Sequence, residues 1–290
     1  MLGHQLYRTL SNACETHVTL RSYGDRLRQL QVFDEARVHV GVDGLDVTAV
    51  ADVLRAFRPE WVINCIGIIK QLEEAKDPER CLAVNALLPH RLARQCEEVG
   101  ARLIQISTDC VFSGARGNYT EADVSDATDV YGRTKYLGEV AQHGAITIRT
   151  SIVGTGLLDD ISLFDWFLSR GDATVKGFTQ AIYTGLTTER LAEEIQDIVA
   201  KPPPAGLWQV SAEKISKFEL LLRLKDAFGL SIRVTPDYDF KCDRSLSSAK
   251  WQAERGYVPP TWDSMLERYV RTRTASYPWK HVSRVRPERP

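Results

Sequence analysis

The sequence has no apolar run near the roughly 18 residues that a membrane-spanning helix needs. Its opening residues, Met1-Leu2-Gly3-His4-Gln5-Leu6-Tyr7-Arg8, lack the charged-then-apolar build of a signal peptide. Six cysteines (Cys14, Cys65, Cys81, Cys96, Cys110 and Cys242) form no CxxC pair, and the six histidines form no HExxH. Disulfide frameworks, zinc ribbons and metalloprotease sites are therefore not expected; buried free thiols in a reducing, cytosolic setting are. Charge of one sign is also missing. With 37 basic and 38 acidic residues the net charge is −1, unlike a protein that coats nucleic acid.

What is present is an ordinary globular composition, 43% hydrophobic and 26% charged over 290 residues. That length suits two domains or one large α/β unit. Four short apolar runs read as buried parallel strands: His17–Arg21, Trp61–Ile66, Arg102–Ser107 and Ala145–Arg149. Helices are expected between them. Asp46 is an N-cap ahead of a Val47, Val50, Ala51, Leu54 stripe, and a second helix spans about Val84–Glu98 before Gly100. A third runs from about Tyr131 to His143. Pro89 fits the second helix only in a first turn. The alternation implies an α/β, Rossmann-like, doubly wound parallel sheet.

After Ser151 the pattern loosens toward a smaller α+β substrate-binding lobe. Thr188–Lys201 is an amphipathic helix that ends before Pro202-Pro203-Pro204, and Ser216 with Glu219 forms a capping box for a helix through Phe228. The expected division is 1–150, 151–270 with elements returning to the sheet, and a basic tail over 271–290. That tail carries Arg271, Arg273, Lys280, Arg284, Arg286 and Arg289 against Glu288, and reads as a solvated end.

The chemistry concentrates at Tyr131-Gly132-Arg133-Thr134-Lys135. Tyrosine and lysine four apart share one helix face, and an ammonium beside a phenol favours the phenolate. This YxxxK starts the helix after the strand ending Ile106-Ser107-Thr108-Asp109, and open α/β sheets bind ligands beyond the carboxyl ends of their strands. Thr108 and Tyr131 are thus placed to share one substrate oxygen. Taken alone, YxxxK is a surface pair and Thr108 a hydroxyl bonding its own backbone.

The ordered motifs Ser107-Thr108-Asp109-Cys110-Val111-Phe112-Ser113-Gly114, Tyr119-Thr120-Glu121 and Tyr131-Gly132-Arg133-Thr134-Lys135-Tyr136-Leu137-Gly138-Glu139 resemble the extended short-chain dehydrogenase/reductases. Within them the likeness is to the branch containing dTDP-4-dehydrorhamnose reductase, and it extends to Asp243-Arg244-Ser245-Leu246. The resemblance implies an NADPH- or NADH-dependent reductase of a keto group on a nucleotide-activated sugar, serving surface polysaccharide precursors. It makes Tyr131 the proton donor, Lys135 the grip on the nicotinamide ribose, and Thr108 the holder of the keto oxygen.

It also places Leu2, Gly3, Arg21, Asp46, Val47, Cys65, Ile66, Gly67 and Asn85 around the cofactor, and Asp109, Cys110, Ile152 and Arg244 around the substrate. Arg21 at a strand end would meet a 2′-phosphate, favouring NADPH over NADH. Plainer roles stand beside these: Asp46 as helix cap, Cys65 and Ile66 as core, Asn85 as a turn residue, Arg21 as a solvated cation. Arg190 and Arg244 are expected near a substrate diphosphate, and Lys70 and Gln71 near the sugar. No metal, nucleic acid or membrane partner is expected, and a homodimer is an assembly the resemblance allows.

Two departures qualify the resemblance. Of the G-x-x-G-x-x-G dinucleotide fingerprint only Gly3 stands here, and the expectation is a start assigned too far downstream, with the first strand lost. Ile152 and Cys110 replace a tryptophan and a tyrosine common in the rhamnose enzyme, so a different sugar pocket is expected. An epimerase or dehydratase of the same family, or a non-catalytic NADP-binding subunit, are the competing readings. A dehydratase would want a Glu after Thr108-Asp109, where Cys110 stands.

Overall fold

A computed structural model of the chain describes residues 1–158 and 161–277. In chain order it forms α1 (Leu2–Leu10), β1 (Val18–Leu20), α2 (Asp25–Gln29), β2 (Val38–Val40), α3 (Val47–Phe57) and β3 (Trp61–Asn64). One helical stretch follows, made of α4 (Pro78–Cys81), a π-helical segment (Leu82–Leu87) and α5 (Leu88–Val99). Then come β4 (Arg102–Ile106), α6 (Val130–Leu137), β5 (Ile146–Arg149), β6 (Ile152–Val153), α7 (Leu163–Leu168), β7 (Thr174–Tyr183) and β8 (Leu186–Thr187). The remainder is α8 (Thr188–Ala200), β9 (Gly206–Gln209), β10 (Ile215–Ser216), α9 (Lys217–Phe228), β11 (Arg233–Asp243), α10 (Ala249–Arg255) and α11 (Trp262–Ser276).

The main sheet is parallel, in the order β3-β4-β5-β9, with helices packed on it: the Rossmann-like α/β fold. β4 and β5 are almost entirely buried, as strands covered on both faces must be. β1 and β2 form a separate parallel pair, so β1 and β3 are both edges and both partly exposed. The three-stranded order β10-β7-β11 makes a further sheet, with α9 packed against β7.

Helix α1 joins the main sheet to the β1–β2 pair. Its Leu2, Leu6 and Leu10 lie in the main core with Ile104 and Ile148, while Tyr7 packs with Tyr23, Val32 and Phe33 beside β1 and β2. The Tyr7 hydroxyl also accepts the Asp34 backbone N–H at 3.0 Å.

Local chemistry explains most boundaries. Asp46 caps α3 by accepting from Thr48 N and Ala49 N, both at 3.0 Å. Ser216 and Glu219 make the full capping box of α9, and Gly100 ends α5 in the left-handed conformation. Pro89 does not open a new helix: it stands at the second residue of α5, directly after the π-helical Leu82–Leu87 and within one helical stretch that starts at Pro78.

Several expectations need correction. The strands are one or two residues shorter than expected, and β2 was not expected because three residues show no periodicity. α6 stops at Leu137, not His143, because the Val140 backbone is captured by the Thr147 side chain, its N–H at 2.9 Å and its C=O at 2.6 Å. The basic tail is not wholly solvated: α11 runs to Ser276, and Arg273 is buried in an ion pair with Asp165 (2.6 Å). Lys280, Arg284, Arg286, Glu288 and Arg289 lie outside the described residues. Cys81 and Cys96 are buried thiols, but Cys14 and Cys65 are exposed.

Candidate active site

The site is built on α6. Asp129 caps this helix through Gly132 N (2.7 Å) and binds Lys70 Nζ (2.7 Å), tying the loop after β3 to the helix start. Lys70 thus has a carboxylate partner rather than a free head toward a sugar. Two glycines allow the helix its close seat. A Cβ on Gly132 would lie 2.3 Å from Cys110 O, and one on Gly138 1.9 Å from Asn85 O. The glycines of the YGxxKxxGE motif are therefore required by packing at backbone distance.

Tyr131 and Lys135 share the face that meets the end of β4, as their spacing predicted. Lys135 is buried and donates from Nζ to Ile106 O at 2.7 Å. Burial pushes its pKa down to about 8, against the pull of the Glu139 carboxylate. Tyr131 differs from the sequence expectation. Burial, reinforced by the Cys110 thiol, drives its pKa up; the Thr108 side chain opposes this, and Lys135 does not rank among the causes. The ammonium points its bond at the strand end rather than at the phenol.

Thr108 Oγ1 donates to Asp109 Oδ1 (3.1 Å) and accepts from Cys110 N (3.1 Å). Asp109 is buried, which raises its pKa against the opposing fields of Arg244 and Lys217. The Cys110 thiol is pushed up to about 12 by burial and by Asp109, so it is no thiolate nucleophile. Arg244 donates from Nε to Phe112 O at 2.8 Å, which fixes its guanidinium beside Asp109 and Cys110. Ile152 is half-buried on β6.

The residues expected around a cofactor are less tightly organised. Gly3 faces Cys65, whose Cβ lies 3.6 Å from where a Gly3 Cβ would stand. Leu2 is buried in the main core, so its side chain is packing and not a cofactor contact. Arg21 and Asp46 are exposed, as are Val47 and Ile66, and Asp46 spends its carboxylate on the α3 cap. Asn85 is buried and clamps the Gly67 loop through both of its amide atoms, to Ile68 N (2.9 Å) and Ile68 O (3.1 Å). Arg190 is not at the site; on α8 it pairs with Glu193 and Glu194.

Sequence reading missed Glu139, Arg149 and Lys217. Glu139 accepts from Ser107 Oγ (2.7 Å), Arg149 Nε (2.6 Å) and Arg149 Nη2 (2.7 Å). Its signal was available: it closes the YGxxKxxGE motif, four residues after Lys135. Lys217 opens α9 near Tyr183 and Asp109, and only the tertiary fold brings it there. Among the described residues no cluster of three or more His, Cys, Asp or Glu side chains could hold a metal ion.

The sequence profile of the RmlD substrate binding domain matches residues 1–274. The methionine adenosyltransferase 2 subunit beta of Xenopus tropicalis is 28% identical over 204 residues, 64% of this chain and 60% of that protein. A dTDP-4-dehydrorhamnose reductase of Mycolicibacterium smegmatis is 44% identical over 115 residues, 36% of this chain and 35% of that one. Both alignments span less than two thirds of the relative's length. The crystal structure of dTDP-4-dehydrorhamnose reductase from Bacillus anthracis in complex with NADP superposes with a TM-score of 0.73 at 21% identity. It covers 88% of this chain and 98% of that one, a likeness of fold.

Proposed function

As the chain belongs to the RmlD substrate binding domain family of nucleotide-sugar reductases, we propose that it reduces a keto group on a nucleotide-activated deoxysugar. The observation that carries this reading is the convergence of Thr108, Tyr131 and Lys135 at the carboxyl end of β4. A bound nicotinamide dinucleotide would supply the hydride. The chain's own part is to hold the carbonyl oxygen with Thr108 and to protonate the nascent alkoxide from Tyr131. The raised pKa of Tyr131 suits that direction, since it keeps the phenol protonated and ready to give its proton.

For a dinucleotide, Gly3 in the first turn of α1 would let the backbone approach a pyrophosphate, which helix N-termini favour. Lys135 would hold the nicotinamide ribose, and Gly67 with the Asn85-clamped loop would line the trough. Arg21 would meet a 2′-phosphate, making NADPH the preferred cofactor and NADH the second. Asp109, Cys110, Ile152 and Arg244 would face the sugar and its diphosphate, with Arg244 the nearby cation.

A second reading, a non-catalytic NADP-binding subunit, draws on the likeness to the methionine adenosyltransferase beta subunit. Incubation with NADPH and a dTDP-4-keto-6-deoxysugar separates the two. The reductase reading expects loss of NADPH absorbance that is abolished in Tyr131→Phe. Tight NADPH binding without turnover across a panel of keto-sugar nucleotides would favour the subunit. Among the described residues no helix is long and apolar enough to cross a membrane.

A further inference from the structure

Tyr131 and Lys135 lie one turn apart on α6, and Glu139 follows in the turn just beyond its last residue, Leu137. Each meets a different residue of one short segment at the end of β4. Tyr131 lies against the Thr108 side chain, Lys135 Nζ donates to Ile106 O at 2.7 Å, and Glu139 Oε1 accepts from Ser107 Oγ at 2.7 Å. The first two contacts belong to the proposed reaction. The third has no assigned part, although it is the most elaborately supported.

Glu139 is held from a third direction by β5. Arg149, itself buried, grips both carboxylate oxygens, Nε to Oε1 at 2.6 Å and Nη2 to Oε2 at 2.7 Å, and lies over the Phe112 ring at 5.2 Å. The side chains of Arg149 and Glu139 are 2% and 9% exposed. A buried pair of this kind is a poor source of net stability, because desolvation of both ions offsets most of their attraction. What it supplies is geometry: a bidentate fork fixes the plane of the carboxylate, and the carboxylate fixes Ser107.

We propose that Glu139 is a positioning residue of this site, locking the 106–108 segment at the end of α6 and so keeping Lys135, through its bond to Ile106 O, in register with Tyr131. The proposal rests on the reductase reading for what the register serves, but not for the clamp itself. Removing the carboxylate frees Ser107 and leaves Arg149 as a bare buried cation. Two groups from different elements bear on the Lys135 charge: Glu139, just beyond α6, and Cys65, after β3, both raise its pKa against burial, Glu139 the more.

The test compares full-length wild type, Glu139→Gln, Glu139→Asp and Glu139→Gln/Arg149→Met. The Lys135 ionisation is read by amine labelling across pH 6–11 with peptide mass spectrometry, thermal melting checks folding, and NADPH turnover is measured with the keto-sugar panel. In Glu139→Gln the labelling midpoint of Lys135 is expected to fall by about one pH unit, as loss of a nearby opposite charge requires. In the double variant, which also lacks the carboxylate, it is expected to fall likewise, and in Glu139→Asp to stay near wild type. The kcat of Glu139→Gln is expected to fall about 100-fold, the size of effect that a misplaced catalytic group produces, with a much smaller change in KM.

A labelling midpoint unchanged in folded Glu139→Gln would overturn the proposal, as would an unchanged kcat in that folded variant. If Glu139→Gln is too unstable to assay, the charge-free double variant decides the matter: its midpoint and kcat are expected to fall while Glu139→Asp keeps both near wild type, and a double variant that keeps both overturns the clamp. Because labelling reads Lys135 without turnover, a wild type that fails to oxidise NADPH would sink the reductase reading and leave the clamp decided separately.

Discussion

Two parallel sheets of this chain, the main sheet and the β1–β2 pair, are built to different standards. In the β3-β4-β5-β9 sheet, β4 and β5 are buried, and α6 seats on two glycines at backbone contact. Its polar groups at the site are multiply bonded: Glu139 accepts three hydrogen bonds and Asn85 makes two. In the β1–β2 pair the strands are three residues long and partly exposed, and the nearby Arg21, Asp46 and Val47 are solvent-facing. The lesson concerns where precision is needed. Groups proposed to move a proton sit in the over-determined half, where a small displacement is costly. Groups proposed to grip a cofactor's far end sit in the looser half, where each contact adds affinity alone.

The comparison breaks most sharply at Tyr131. Tyr131→Phe is expected to lower kcat by about 100- to 10,000-fold, the range for a lost general acid, with NADPH binding held within about twofold. Steady-state kinetics and a fluorescence titration check the two halves of that statement; a matching loss of cofactor binding would show that the two regions are not separable.

Glu189 tests whether the well-packed half is satisfied throughout. Its carboxyl is buried at the start of α8 with Oε1 unpartnered, and burial pushes its pKa up to about 7. A folded-state pKa above the unfolded value means a contribution to stability that is complete below about 4.5 and lost as pH rises through about 7. Glu189→Gln is therefore expected to stabilise the protein at pH 8 by about 2–3 kcal/mol, and by far less at pH 5. Chemical denaturation at the two pH values measures it, and equal gains at both would refute the assignment.

Glycine replacements probe packing in the two regions directly. Gly138→Ala drives a methyl into Asn85 O and is expected to cost about 1–3 kcal/mol or displace α6. Gly24→Ala, ahead of α2 where nothing lies within 4 Å and φ is −78°, is expected to change stability by about 0.5 kcal/mol or less. Urea midpoints that fell equally would erase the distinction between the regions.

The smallest catalytic effect is expected at the exposed end. Arg21→Ala should raise KM for NADPH about tenfold, roughly the worth of one partly solvated charge contact, and leave NADH and kcat alone. An equal rise for both cofactors would remove Arg21 from any 2′-phosphate site.

Much of this was legible in residue order. The periodic and capped segments lie where the sequence pattern puts them, because Asp46, Ser216 with Glu219, and Gly100 act through bonds that close within a few residues. The Tyr131–Lys135 stripe at the end of β4 was legible for the same reason: helix spacing sets which side chains share a face. Segments decided by distant partners were not. β2 and β9 exist because β1 and β5 offer edges to pair with. α6 ends early because Thr147 takes the Val140 backbone. Arg273 looked like a surface cation and is buried because Asp165 waits for it from α7.

The sequence alone determined the class of fold, the chemical character of the site and the order of its motifs, since these rest on local periodicity and on residue type. Tertiary structure alone decided the charge state and the company of those residues. Burial, not the neighbouring lysine, governs the Tyr131 phenol. The lysine's hydrogen bond goes to Ile106 O, and Glu139 is drawn into the site by a strand that follows it in the chain. Ionisation depends on how much water is excluded and which charges remain nearby, and both are properties of the packed chain.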